Sequence, residues 1–188
     1  MTLFEDNKKD GLKLLPLIAL SLIIGMYLGN RFPDIDQRTD LLTHRSILTH
    51  GFIIPLVLYL IVSRIENPIT RFWGMGFNLA VSIHLCFDLF PKGWYMHALI
   101  HIPGIGWTWA FISQGWIFLS MVICIYTAFK LIKNFNQAIL CMLGILLFFI
   151  YAHQFESNLF KPLIMLVIAI VIASGILVFK SNDEEYTL

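Results

Sequence analysis

Six apolar runs, at 12–29, 47–62, 72–90, 111–132, 138–153 and 162–179, leave this chain few ways to fold. A helix that crosses the hydrocarbon of a bilayer needs roughly 20 mostly apolar residues. The runs therefore predict an all-α polytopic bundle of about six transmembrane helices. The fifth run is short, and the second begins inside a polar motif, so five crossings is the nearest alternative. Hydrophobic residues make up 58% of the chain, whereas a soluble domain has about 45–50%. The first run follows lysines, as a signal peptide would, but Tyr27-Leu28-Gly29 lacks the small-x-small cleavage pattern and predicts a retained helix.

The connections at 64–71, 130–136 and 154–161 are short and charged, with no room for a second soluble domain. A single unit over 1–188 is expected, with a motif-bearing core at 20–110, further helices over 111–180 and a fraying polar tail at 181–188. The net charge of +1 gives no reason to expect a nucleic-acid partner. Cys86, Cys124 and Cys141 are odd in number and lie in separate apolar runs, so they read as packing residues.

Alternating six spans sorts the basic residues onto two faces. Lys8, Lys9, Lys13, Arg64, Arg71, Lys130, Lys133 and Lys180 share the face of the termini. Arg31, Arg38, Arg45, Lys92 and Lys161 share the other. The positive-inside rule then puts both termini in the cytoplasm. The same alternation gathers His44, His50, His84, His97, His101 and His153 at the opposite end, with Asp34, Asp36 and Asp88.

Ionisable groups are costly near hydrocarbon and mark function there. His84 and Asp88 lie four apart on a helix and so share one face, where they can hold an ion together or form a buried hydrogen bond between helices. Asp34 and Asp36 flank one residue in a loop; in an extended segment they would share a side, and otherwise they are a solvated acidic turn. His44 and His50 bracket the start of the second helix, which Thr43 or Ser46 could cap. Arg45 suits bidentate contact with phosphate or carboxylate, or a lipid headgroup. His97 and His101 form a second four-residue pair inside a Trp-, Pro- and Gly-rich segment, 94–109, that reads as a re-entrant or interfacial hairpin. His153 with Glu156 is a weaker signal, and Trp116 reads as lipid-facing or core bulk. Nitrogen and oxygen ligands without a local thiol suggest a divalent metal.

In this order, Pro33-Asp34-Ile35-Asp36, His44-Arg45, Thr49-His50 and His84-x-x-x-Asp88 resemble the LexA-regulated, membrane-bound metal-dependent hydrolases of YdjM type. The resemblance covers roughly residues 20–110. That family often has histidine where Gln37 stands, glycine where Ser46 stands and serine where Gly51 stands, and here one extra residue precedes Thr49. The family is similar in its helical His/Asp ligation to zinc phospholipase C, so the resemblance implies phosphoester hydrolysis. On that reading Asp34, Asp36, His50, His84 and Asp88 hold one or two divalent ions, zinc first, with manganese or magnesium as alternatives. His44 is a ligand or proton shuttle, and Arg45 holds phosphoryl oxygens. A membrane lipid or lipid-linked phosphate is the expected substrate, at the face of a bacterial inner membrane opposite the cytoplasm.

Three rivals use the same residues differently. A phosphohistidine lipid phosphatase would need a lysine–arginine–proline element and a P-S-G-H segment, neither of which is present. A metal transporter would place its ligands near the midplane. A scaffold would use the cluster only to join helices.

Overall fold

The computed structural model describes residues 8–38, 42–91, 98–154 and 159–185. In chain order they form α1 (Lys8–Arg31), a 3-10 helix (Pro33–Arg38), α2 (Ile53–Val62) and α3 (Pro68–Asp88). A two-stranded antiparallel hairpin follows, β1 (His101–Ile102) with β2 (Gly106–Trp107), then α4 (Ala110–Lys130), α5 (Phe135–His153) and α6 (Phe160–Glu185). Among the described residues, four helical segments are long and apolar enough to cross a membrane: Leu14–Arg31, Ala110–Lys130, Phe135–His153 and Phe160–Phe179.

The other two expected spans differ from these in instructive ways. Residues 44–50 form turns, and α2 begins only at Ile53. Its N-cap is Phe52, with no side-chain cap, so neither Thr43 nor Ser46 starts this helix. Helix α3 has 21 residues, but Arg71, Asn78, His84 and Asp88 dilute its apolarity. It has little need of lipid-compatible surfaces because protein surrounds it. It packs against α1, α2, α4, α5 and α6, and most of its side chains are buried. Its polar groups find partners on the neighbours: Thr127 Oγ1 donates to Asn78 Oδ1 at 3.0 Å, and Ser82 Oγ donates to the Met121 carbonyl at 3.3 Å.

Contacts between α1 and α3 are backbone to backbone. A Cβ added at Gly25 would lie 2.1 Å from the Trp73 carbonyl oxygen, and one at Gly29 would lie 2.3 Å from that of Phe77. From the other side, a Cβ on Gly76 would lie 2.3 Å from the Leu22 carbonyl. Gly25 and Gly29 are four apart and so face α3 together, the small-xxx-small arrangement that lets membrane helices approach closely. The two helices run parallel, with residue 25 beside 73 and residue 29 beside 77.

At one end, the Arg71 guanidinium donates to the Leu131 carbonyl just past α4 and to Gln137 Oε1 near the start of α5. Buried there, Arg71 completes a helix end and does not report which side of the membrane it is on. At the other end, Cys86 touches the Pro162 carbonyl at the start of α6. Helices α1, α3 and α5 therefore point their C-termini to one end of the bundle, and α2, α4 and α6 return from it. Helix α6 runs on through Glu185, so the acidic segment expected to fray is largely helical.

The aromatic segment is a β-hairpin where described, with its turn made by Gly104 at φ +81° and Gly106 at φ +110°. Ile105, Trp107, Trp109 and Phe111 are exposed around it. His97 lies outside the described residues.

Replacing Gly29 with leucine forces a side chain into the Phe77 backbone. The expected cost is about 1–3 kcal/mol or more, read as a lower unfolding temperature in detergent. Gly175→Ala, at a position with open space around it, should leave that temperature unchanged or raise it.

Candidate metal centre

The 3-10 helix after α1 decides what the two aspartates do. Successive residues there turn by about 120°, so positions two apart face different ways, unlike the shared side expected of an extended segment. Asp34 faces a cavity at the end of the bundle, while Asp36 turns inward and its side chain is fully buried.

Asp36 is surrounded by donors from the 44–50 turns. Its Oδ2 accepts from the Ser46 N–H at 3.0 Å and from Thr49 Oγ1 at 2.6 Å, and lies 3.3 Å from His50 Nδ1. Its Oδ1 lies 3.3 Å from His44 Nδ1. Burial pushes this carboxyl up, but the contacts from His50, Thr49 and the Ser46 amide, with the charge His50 can carry, outweigh burial and hold it well below the usual carboxylate range. Asp36 was expected among the ligands. It belongs to neither group of side chains placed to share an ion, and it supports the imidazoles from behind.

Those two groups are Asp34 with His44 and His50, and His50 with His84 and Asp88; within each, the donor atoms lie within 4.8 Å of one another. Asp88 Oδ2 is 3.4 Å from His84 Nε2 and 3.6 Å from His50 Nε2, and Asp34 Oδ1 is 3.9 Å from His84 Nε2. Donors around a tetrahedral ion with bonds near 2.1 Å stand about 3.4 Å apart, so these separations suit a shared cation. His50 Nε2 and Asp88 Oδ2 are buried without a hydrogen-bond partner. Buried polar atoms are rarely left so, and a cation bound between them would satisfy both. The donor set, imidazole and carboxylate, is of a kind that can hold a divalent metal ion.

The cavity measures about 380 Å³ and is lined by Asp34, His44, Arg45, His84 and Asp88, with Phe87, Pro91 and Ala152 as its apolar wall. Asn30 and Gln37 also reach it, and Gln37 Nε2 donates to Asp34 Oδ1 at 2.7 Å. The C-terminal ends of α1, α3 and α5 surround this cavity, each carrying about half a negative charge. Together with two carboxylates they favour a cation, with Arg45 as the positive group in the lining.

Arg45 has φ +61°, which is uncommon for any residue but glycine. Two hydrogen bonds to β1 hold it there: the His101 N–H donates to the Arg45 carbonyl, and the Ile47 N–H donates to the His101 carbonyl, both at 2.9 Å. Ser46 and His101 thus form a parallel bridge. His101 is a backbone clamp for the loop, and its ring packs edge-on to Trp107. His153 ends α5 beside Ala152 at the cavity, with Nδ1 buried and unbonded; Glu156 lies outside the described residues.

Trp116, read from sequence as bulk, has a specific part. Its Nε1–H donates to the His50 carbonyl at 3.1 Å. A Cβ at Gly51 would sit 2.8 Å from that indole, so a side chain at this position would displace Trp116. The hydrogen-bonding roles of Ser46 and Thr49 were equally hidden in the sequence. No protein-family model, curated protein or solved structure matches this chain.

Two outcomes are expected. Trp116→Phe keeps the ring against Phe52 but removes the donor to His50, costing about 1 kcal/mol in thermal unfolding. Asp36, with its lowered pKa, stabilises the 44–50 loop at any pH above the unfolded carboxylate value of about 3.9. That stability is lost as pH falls through the lower folded value, so Trp116 fluorescence should stay native-like to below about pH 4.

Proposed function

We propose that this protein is a membrane-embedded, metal-dependent hydrolase acting on a phosphoester of a lipid or another amphiphile. The observation that carries this reading is the pair of imidazole nitrogens within 3.6 Å of one buried, otherwise unbonded carboxylate oxygen, beside a cavity that also holds Arg45. His50, His84 and Asp88, with Asp34 at the open side, would hold the ion. A divalent ion, when bound there, would lower the pKa of water towards about 7 and offset charge on a phosphoryl oxygen.

The chain's own residues supply the rest. Arg45, fixed by its clamped backbone, receives the phosphoryl oxygens and stabilises charge as it builds. Water adds to phosphorus, the P–O ester bond breaks, and the departing oxygen needs a proton. His44, part-exposed at the cavity and backed by Asp36 through Nδ1, is placed to take a proton from the attacking water on Nε2 and hand it on to that oxygen. Phe87, Pro91 and Ala152 form an apolar wall suited to the first carbons of an alkyl group. His44 and Arg45 are the catalytic residues on this reading.

Six crossings are the topology we infer. Val62 lies against Gly74 and His50 lies beside Asp88, so residues 50–62 descend the length of α3 between positions 74 and 88, about 21 Å. The turns at 46–52 complete what α2 lacks in length. With Arg71 set aside as structural and Arg45 as part of the site, seven basic residues remain on the face of the termini and four on the other. That bias supports cytoplasmic termini in a bacterial inner membrane, with the site on the opposite face. Clustering at one end also favours catalysis at a surface over transport through the midplane.

The test is elemental analysis of detergent-purified protein free of tag-derived metal, beside an Asp34→Ala/His84→Ala double variant. Stoichiometric zinc or manganese, lost in a variant that remains folded, is expected, with hydrolysis of phosphoester substrates falling at least about 100-fold. A folded wild-type protein that stays metal-free after zinc, manganese and magnesium are added back would overturn the reading and leave a scaffold.

A further inference from the structure

We propose that Asp36 is a positioning residue that fixes the tautomers of two histidines at once, holding His44 and His50 both protonated on Nδ1 so that both Nε2 lone pairs are available to the cavity. The assignment rests on the metal-centre reading only for its purpose; the proton positions follow from the contacts themselves.

The decisive contact is the one between Asp36 Oδ2 and Thr49 Oγ1, at 2.6 Å. Two oxygens so close need a proton between them, and an ionised carboxylate has none to give. The hydroxyl proton of Thr49 is therefore committed to Asp36. His50 Nδ1 lies 3.1 Å from that same hydroxyl oxygen and 3.3 Å from Asp36 Oδ2. Both neighbours can now only accept, so the proton between them sits on His50 Nδ1. The other carboxylate oxygen faces His44 Nδ1 at 3.3 Å with the same result. The Ser46 amide takes up further acceptor capacity on Oδ2, which leaves the carboxylate in one orientation.

The consequence is visible at the far side of the ring. With Nδ1–H donated backwards, neutral His50 presents a bare Nε2 towards Asp88 and His84. A carboxylate oxygen and a bare imidazole nitrogen repel, and neither has a hydrogen-bond partner. That pairing is unfavourable in the chain alone and favourable once a cation lies between them. Carboxylate–histidine–metal relays of this kind set ligand orientation and basicity. Here one carboxylate serves two rings from two different oxygens.

The test uses full-length protein with 15N-labelled histidine, stripped of metal, in lipid nanodiscs near neutral pH. Long-range 1H–15N correlation separates protonated from bare ring nitrogens. His44 and His50, assigned through His44→Gln and His50→Gln variants, should both show protonated Nδ1 and bare Nε2. Asp36→Asn can accept with only one side-chain atom, and should move at least one ring to the other tautomer or to an average of the two. In cobalt or zinc titrations, Asp36→Asn should weaken binding roughly 10–100-fold, whereas Asp88→Ala should abolish it. A protonated Nε2 on either ring of the wild-type protein would overturn the assignment, as would an Asp36→Asn spectrum identical to wild type. The wild-type spectrum alone decides the tautomers if Asp36→Asn does not fold. The expected tautomers in a protein that never takes up metal would sink the hydrolase reading and leave Asp36 as assigned; wrong tautomers with stoichiometric metal would do the reverse.

Discussion

Backbone contact between α1 and α3 is the constraint on which the rest of this structure depends. Lipid tails are as apolar as leucine, so helices in a bilayer gain little from burying large side chains and gain more by close packing. Gly25, Gly29 and Gly76 allow carbonyls of one helix to take the place of side chains on the other. The site inherits that registration directly. Asp34 follows α1 by three residues and His84 belongs to α3, so the 3.9 Å between them is set by how the helices sit. A slip of one residue shifts a helix by about 1.5 Å and would open that distance.

A second constraint is the cost of polar groups near hydrocarbon. The chain meets it by concentrating them on α3 and surrounding α3 with five helices. Asn78 and Ser82 then have protein partners, Arg71 closes a helix end, and the strongest polar groups, His84 and Asp88, come at the end of the bundle. Beyond Arg71, polarity rises along α3 towards the site, and the apolar helices α4 to α6 carry none of the clustered ligands. The same arrangement leaves α5 and α6 with many exposed apolar side chains.

Much of this was legible in the sequence. Apolar runs of spanning length gave the helices, and the i, i+4 spacing of His84 and Asp88 placed both on one face. The order of polar motifs brought Asp34, His44, His50, His84 and Asp88 to one place. What the sequence could not convey is local backbone geometry. Asp34 and Asp36 look equivalent as letters, and only the 3-10 turn sends one to the cavity and the other behind the histidines. The spacing of Gly25 and Gly29 was there to be read as a packing face. Trp116 was not legible in this way, because its partner is a backbone carbonyl 66 positions away. Arg71 was misleading for the opposite reason: its charge counted towards topology, although its guanidinium is committed to α4 and α5.

The bridge between Ser46 and His101 ties together parts of the molecule that face different surroundings. On one side is a loop held in a left-handed conformation at Arg45. On the other is a hairpin whose Ile105, Trp107 and Trp109 project from the protein. No flexible linker separates them, since the hydrogen bonds that make the bridge are those that fix the Arg45 backbone. Displacement of the hairpin is therefore also displacement of the Arg45 backbone. The exposed aromatic side chains of the hairpin and the backbone at the cavity lining thus move as one body.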